Sequence, residues 1–121
     1  MVSFAGLKTV MQLKDLLGGV KDKSLVFADV LSFIDAGYIH QPTAFTNGRS
    51  TNTAEQNQGS ARVLAFAQLN QLSAADTLHL FAEHYQAVID DPTGDNHQNI
   101  RQFMINGWEG VKFSGSALLP R

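Results

Sequence analysis

The sequence contains no cysteine. Disulfides, thiol chemistry and cysteine-ligated zinc are therefore excluded, and the core must come from apolar burial alone. A chain of 121 residues can bury roughly two-thirds of the surface that its unfolded form exposes. That is enough for one domain, and residues 1–121 are read as a single unit. No apolar run approaches the roughly 20 residues that cross a bilayer, so no membrane partner is expected. The opening "MVSFAGLKTV" lacks the charged start and apolar centre of a signal peptide. The nine Lys and Arg residues are scattered and the formal net charge is −2. Without a basic stripe, no nucleic-acid partner is expected. There is no G-x-S-x-G, Walker loop or dinucleotide fingerprint. These absences leave a mildly acidic, intracellular globular domain.

The apolar spacing is mostly helical. Leu7, Val10, Met11, Leu13 and Leu17 predict a first helix from about Phe4, stopped by Gly18-Gly19. Phe27, Val30, Leu31 and Ile34 predict a second helix ending at Gly37. Ser60 is expected to cap a third, in which Val63, Leu64, Phe66, Ala67 and Leu69 cover most of the circumference. That makes it the central helix. Ser73 and Asp76 start a fourth, with Leu78, Phe81, Ala82, Tyr85 and Ile89 inward and Pro92 closing it. The last runs from about Asn96 to Asn106 on Ile100, Phe103 and Met104. Tyr38, Ile39 and Phe45 suit a short edge segment, and "VKF" at 111–113 alternates like a strand that could pair with it. Asn47-Gly48 reads as a tight turn. The expected fold is α+β and mainly helical, with about five helices and a minimal two- or three-stranded sheet.

Two features carry chemistry. From Thr46 to Ser60 no large apolar residue occurs, so this loop has no evident anchor. In "TGDNHQNIR", Thr93 to Arg101, Asp95 stands where an N-cap belongs and Gln98 completes a capping-box pattern. With a carboxylate already at that helix end, anion binding there is disfavoured. His97 falls in the first turn, where the positive helix end predicts a neutral imidazole near neutral pH. Arg101 lies on the same face, and Asn99 and Arg101 are expected to reach back to the loop between Asn47 and Asn57. That gives either a polar pocket or a network that satisfies the loop backbone. His79, Glu83 and His84 do not have H-E-x-x-H spacing and read as a solvated helix face, so no metal and no cofactor is expected. His40 suits a loop hydrogen bond. Trp108 fits a wedge between the last helix and the strand better than an exposed partner anchor.

From Ile34 onward the segments "IDAGY", "PTAFTNG", "QNQGS", "LAFAQLNQLS", "DNHQNIR" and "GWEGVKFSG" occur in the order and near the spacing of one family. The chain resembles the HopJ type III effector proteins, with "HQNIR" followed by "GW" the most specific part. Glu55 stands where that family often has glycine, and Ala61 where it often has cysteine. The resemblance implies a small bacterial protein, and it implies no known reaction. It places the chain in the bacterial cytoplasm or, through a type III system, in a host cell. The reading is a protein that binds an unidentified protein or small molecule through Asn47, Asn57, His97, Asn99 and Arg101. The alternative is a small cytoplasmic hydrolase or isomerase, resident in the bacterium, with His97 as general base.

Overall fold

The computed structural model describes residues 11–121. Six α-helices and two small antiparallel sheets make up this part of the chain, a mainly helical α+β fold. The expected start of the first helix, with Phe4, Leu7 and Val10, lies outside the described residues.

Helix α1 (Leu13–Lys21) runs through Gly18-Gly19 rather than stopping there. Glycine inside a helix costs about 1 kcal/mol relative to alanine, and close packing explains why it is kept. A Cβ on Gly19 would clash with the Leu25 side chain. The helix ends instead with Lys23 in the left-handed region (φ 69°) and a Ser24 N–H to Gly19 carbonyl bond of 2.9 Å. Helix α2 (Phe27–Gly37) follows the expected spacing, with Val30 and Ile34 fully buried, and leads directly into β1 (Tyr38–His40).

Strands β2 (Phe45–Asn47) and β3 (Ser50–Asn52) form a hairpin that turns at Gly48-Arg49. Gly48 has φ +59° and occupies the first turn position, where the tight hairpin turn needs glycine. The turn is therefore one residue later than Asn47-Gly48 suggests, and Asn47 is a strand residue. Strand β4 (Val111–Phe113) pairs with β2, Phe45 facing Phe113 and Asn47 facing Val111. "VKF" thus does pair with the 38–45 region, but only with its far end. Strand β1 pairs instead with β5 (Leu118–Pro120), which its sequence does not announce.

Helix α3 (Gln58–Leu69) is the core element: Ala61 and Val63 to Ala67 are all buried. Burial of each large side chain here contributes about 1.5–3 kcal/mol. It starts two residues before Ser60, and its N-cap is Asn57, in the left-handed conformation (φ 52°). The stretch expected to be one helix from Ser73 to Asp90 is two, α4 (Ala74–His79) and α5 (Glu83–Asp90). Ser73 Oγ caps α4 by accepting from the Asp76 N–H. Between the two, Ala82 takes φ 51°, ψ −123°. A straight helix would bury Phe81 and leave Leu80 off the apolar face. The break buries both, at 1% and 0% exposure, and leaves Ile89 outside.

Helix α6 (Gln98–Asn106) begins after His97, not at Asn96. Ile100 and Phe103 are buried, while Met104 is exposed. A 3₁₀ turn (Gly107–Gly110) follows. There Trp108 packs edge-on to Phe103, centroids 4.9 Å apart, and its indole N–H donates to the Leu72 carbonyl. It is a packed wedge.

Candidate functional site

The hairpin lies against the first turn of α6, and asparagines make the contact. In β2 and β3 the inward positions Asn47 and Asn52 are 0% and 1% exposed. Asn47 Nδ2 donates to the Asn99 carbonyl at 2.7 Å and to Asn99 Oδ1 at 3.1 Å. Asn52 Oδ1 accepts from Asn99 Nδ2 at 3.0 Å and from Asn57 Nδ2 at 2.6 Å. Asn47 Oδ1 is buried without a partner among the described residues. The segment expected to lack an anchor is thus anchored by buried amides, and Asn52, absent from the expected cluster, is its hub. Gln58 is a second unexpected clamp. Its Oε1 accepts from the Thr43 N–H at 3.0 Å and lies 3.1 Å from His40 Nε2, while its Nε2 donates to the carbonyls of Thr43, Thr53 and Gln56.

Arg101 does not reach the hairpin. It is 9% exposed and turns to the loop before α6, where it donates to the Asn96 carbonyl and Oδ1 and to the Pro92 carbonyl. No carboxylate among the described residues pairs with it. The five expected site residues therefore divide three ways. Asn47, Asn99 and Asn57 meet through Asn52, Arg101 holds the 92–96 loop, and His97 faces a cavity that Asn57 also lines.

Asp95 does not cap α6. It is exposed, and what the helix takes from it is its carbonyl, which accepts from Gln98 Nε2 at 2.6 Å. The N-cap is His97, left-handed at φ 53° and making no side-chain cap bond. The carboxylate expected to fill this helix end is therefore not there.

The cavity holds about 320 Å³ and lies between the starts of α3 and α6. Its walls include Asn57, Gly59, Ser60, His84, His97, Gln98 and Asn99, with Phe27 and Phe81 as apolar surface. The first N–H groups of a helix have no intrahelical acceptor. Here those of Gly59, Ser60, Gln98 and Asn99 have no acceptor among the described residues. His84 packs edge-on against Phe27 at 4.9 Å and lies 5.1 Å from His97, centroid to centroid. Neither imidazole makes a hydrogen bond or ion pair with another described residue. Burial holds the His97 imidazole below the ordinary histidine range, and the nearby His84 and Arg101 charges act in the same direction. The direction matches the expectation; burial, rather than the helix end, is the first cause. No carboxylate lines the cavity.

Strain gathers here as well. Asn57 and His97 are two of the five positive-φ non-glycine residues among the described residues, and a third, Ala82, directly follows Phe81 and stands two positions before His84. Such conformations cost of order 1–3 kcal/mol and cluster at functional sites.

His79 packs edge-on against Tyr85, away from the His84–His97 pair. Among the described residues no group of three or more His, Asp or Glu is placed to hold a metal ion. A larger, mainly apolar groove of about 750 Å³ runs past Leu13, Phe33, Tyr38 and Phe66. Among the described residues it contains no comparable set of unpartnered polar groups, so size alone does not make it the better candidate.

The HopJ type III effector protein family matches residues 13–118. The chain belongs to the HopJ family. A crystal structure described as "unknown function protein VPA0580" is similar to this HopJ chain with a TM-score of 0.83 and 38% identity, over 92% of this chain and 95% of that one. No curated protein matches. Two of the segments on which the resemblance rests, "QNQGS" and "HQNIR", are the ones that face each other across the cavity. No helix among the described residues is long and apolar enough to cross a membrane.

Proposed function

We propose that this HopJ protein acts by binding a small molecule that carries an acidic group, a carboxylate or a phosphate, in the cavity between α3 and α6. The observation that carries the reading is the lining. Four residues from two helix starts whose backbone N–H groups have no acceptor among the described residues, together with two histidines, line one space with no carboxylate in its wall. Backbone donors at a helix start favour a negatively charged oxygen, and an unmade hydrogen bond in a partly enclosed space is costly. The cavity volume is at the lower end of the range for small-molecule sites. Asn47, Asn52 and Asn99 support the site from behind by fixing the hairpin to α6, and Arg101 does the same for the loop before it.

Binding is preferred over general-base catalysis by His97 for a physical reason. An imidazole base is normally oriented by a second group, and no side chain or carbonyl among the described residues bonds to His97. We place the action in a cytosol, that of the bacterium or, as the family's name suggests, of a host cell reached by type III export.

The test is a nuclear magnetic resonance titration with small carboxylates and phosphates. Amide signals of Gly59, Ser60, Gln98 and Asn99 should move together on one binding curve, and His84→Ala should weaken it by tenfold or more, on the order of 1.4 kcal/mol. Signals that move only outside the cavity would refute the reading.

A further inference from the structure

Acid binding at the helix starts does not by itself require the imidazole pair. Two rings 5.1 Å apart face one cavity, one from α5 and one from the N-cap of α6. Neither has a hydrogen-bond or ion-pair partner among the described residues. We propose that the cavity takes up its anion together with one proton, which lodges on the His84–His97 pair. This inference rests on the proposed acid-binding function and adds its regulation by pH.

The charges around the pair favour that coupling. The groups that act on His97 are His84 from α5 and Arg101 from its own helix. From α2 the pair meets Phe27, and from α3 the cavity wall is Asn57, Gly59 and Ser60, none of them charged. Glu83, adjacent to His84 in sequence, has its Oε1 committed to the Phe27 N–H at 2.7 Å. No carboxylate lies within ion-pair distance of either ring. In the empty site a proton therefore meets only positive neighbours and partial burial, which disfavour the charged form of His97. A bound anion supplies the missing negative charge. An opposite charge within about 4–6 Å favours the charged form of an imidazole, so the anion and the proton each raise affinity for the other.

Sulfate is the right probe, because it stays a dianion throughout the relevant range and any pH dependence then belongs to the protein. The measurement is calorimetric titration of the full chain with sulfate, repeated in two buffers of different ionisation enthalpy. Affinity should rise by about tenfold or more from about pH 7.5 to about pH 5.5, since uptake of one proton gives up to tenfold per pH unit. The observed heat should differ between buffers by the amount for about one proton, and the His97 ring signal should titrate at higher pH with sulfate than without. His97→Asn keeps a residue that tolerates the left-handed backbone. It should retain weaker sulfate binding with a smaller dependence on pH and buffer, and combining it with His84→Ala should remove that dependence. Sulfate that moves the Gly59 and Asn99 amides with affinity constant across that range overturns the proton coupling and leaves the binding function standing. Sulfate that moves none of the cavity amides at any pH overturns both.

Discussion

Asn52→Ala tests the buried network that holds the hairpin to α6. Asn52 Oδ1 accepts two hydrogen bonds, from Asn99 Nδ2 at 3.0 Å and Asn57 Nδ2 at 2.6 Å. The substitution removes both. Asn99 Nδ2 has no other acceptor and is buried, so it bears a desolvation penalty of about 1–3 kcal/mol. Asn57 is exposed and can turn to water. Adding about 1 kcal/mol for the lost bonds gives a net destabilisation of about 2–4 kcal/mol. For a domain of this size that corresponds to a fall in melting temperature of roughly 6–15 °C. Urea unfolding followed by Trp108 fluorescence would read the change as a shifted midpoint with an unaltered slope. Asn57→Gly is the comparison, expected to cost less than about 1 kcal/mol, because glycine keeps the left-handed backbone and the lost amide lies at the water-facing end. If Asn52→Ala costs no more than Asn57→Gly, the asparagines do not anchor the hairpin, and the positioning ascribed to them is wrong.

Other outcomes follow from single positions. Ala82→Gly should stabilise the protein by about 1 kcal/mol, because glycine takes φ 51°, ψ −123° without strain; a loss in chemical denaturation would contradict this. Gly48→Ala should destabilise by about 2 kcal/mol or more, since it combines positive φ with a clash against Gln102 and Asn106 on α6, and the hairpin amides should lose hydrogen-exchange protection. His97 has a folded-state pKa below its ordinary value, so the unfolded chain binds the proton more readily. Its contribution is therefore neutral well above the ordinary value of about 6.5 and turns destabilising as pH falls through it, levelling off below the folded value. His97→Asn should flatten that part of the stability–pH curve, as measured by urea midpoints at several pH values.

The helical half of this fold is legible in the sequence because burial and period coincide. Val30 and Ile34 in α2, and Val63, Leu64, Phe66 and Ala67 in α3, are inward where the spacing puts them, whereas Leu69 at the end of α3 is exposed. Strand β5 is not legible, because Leu118–Pro120 is too short to carry a period and contains proline. The turn at Ala82 is not legible either: no glycine marks it, and the burial of Leu80 and Phe81 decides it. The same limit applies at the site. The density of amides around Asn47, Asn57 and Asn99 is visible in sequence, as is the peculiarity of His97. Asn52 is missed because it looks like any other polar residue in a polar stretch, and only its register opposite Phe45 turns it inward. His84 is missed because its partner is 13 positions away on another helix, so neither residue's local spacing reveals the pair. Asp95 has the right identity and spacing for a cap, but the left-handed backbone at His97 moves the helix start beyond it.

The proposed binding of an acidic small molecule between the starts of α3 and α6 can be observed crystallographically. The most direct measurement is a crystal of this chain soaked with a set of carboxylate- and phosphate-bearing fragments. Acidic oxygens should lie within hydrogen-bond distance of the Gly59, Ser60, Gln98 or Asn99 N–H groups, with the fragment between His84 and His97. Fragments bound repeatedly elsewhere, with this cavity filled only by water, would contradict it.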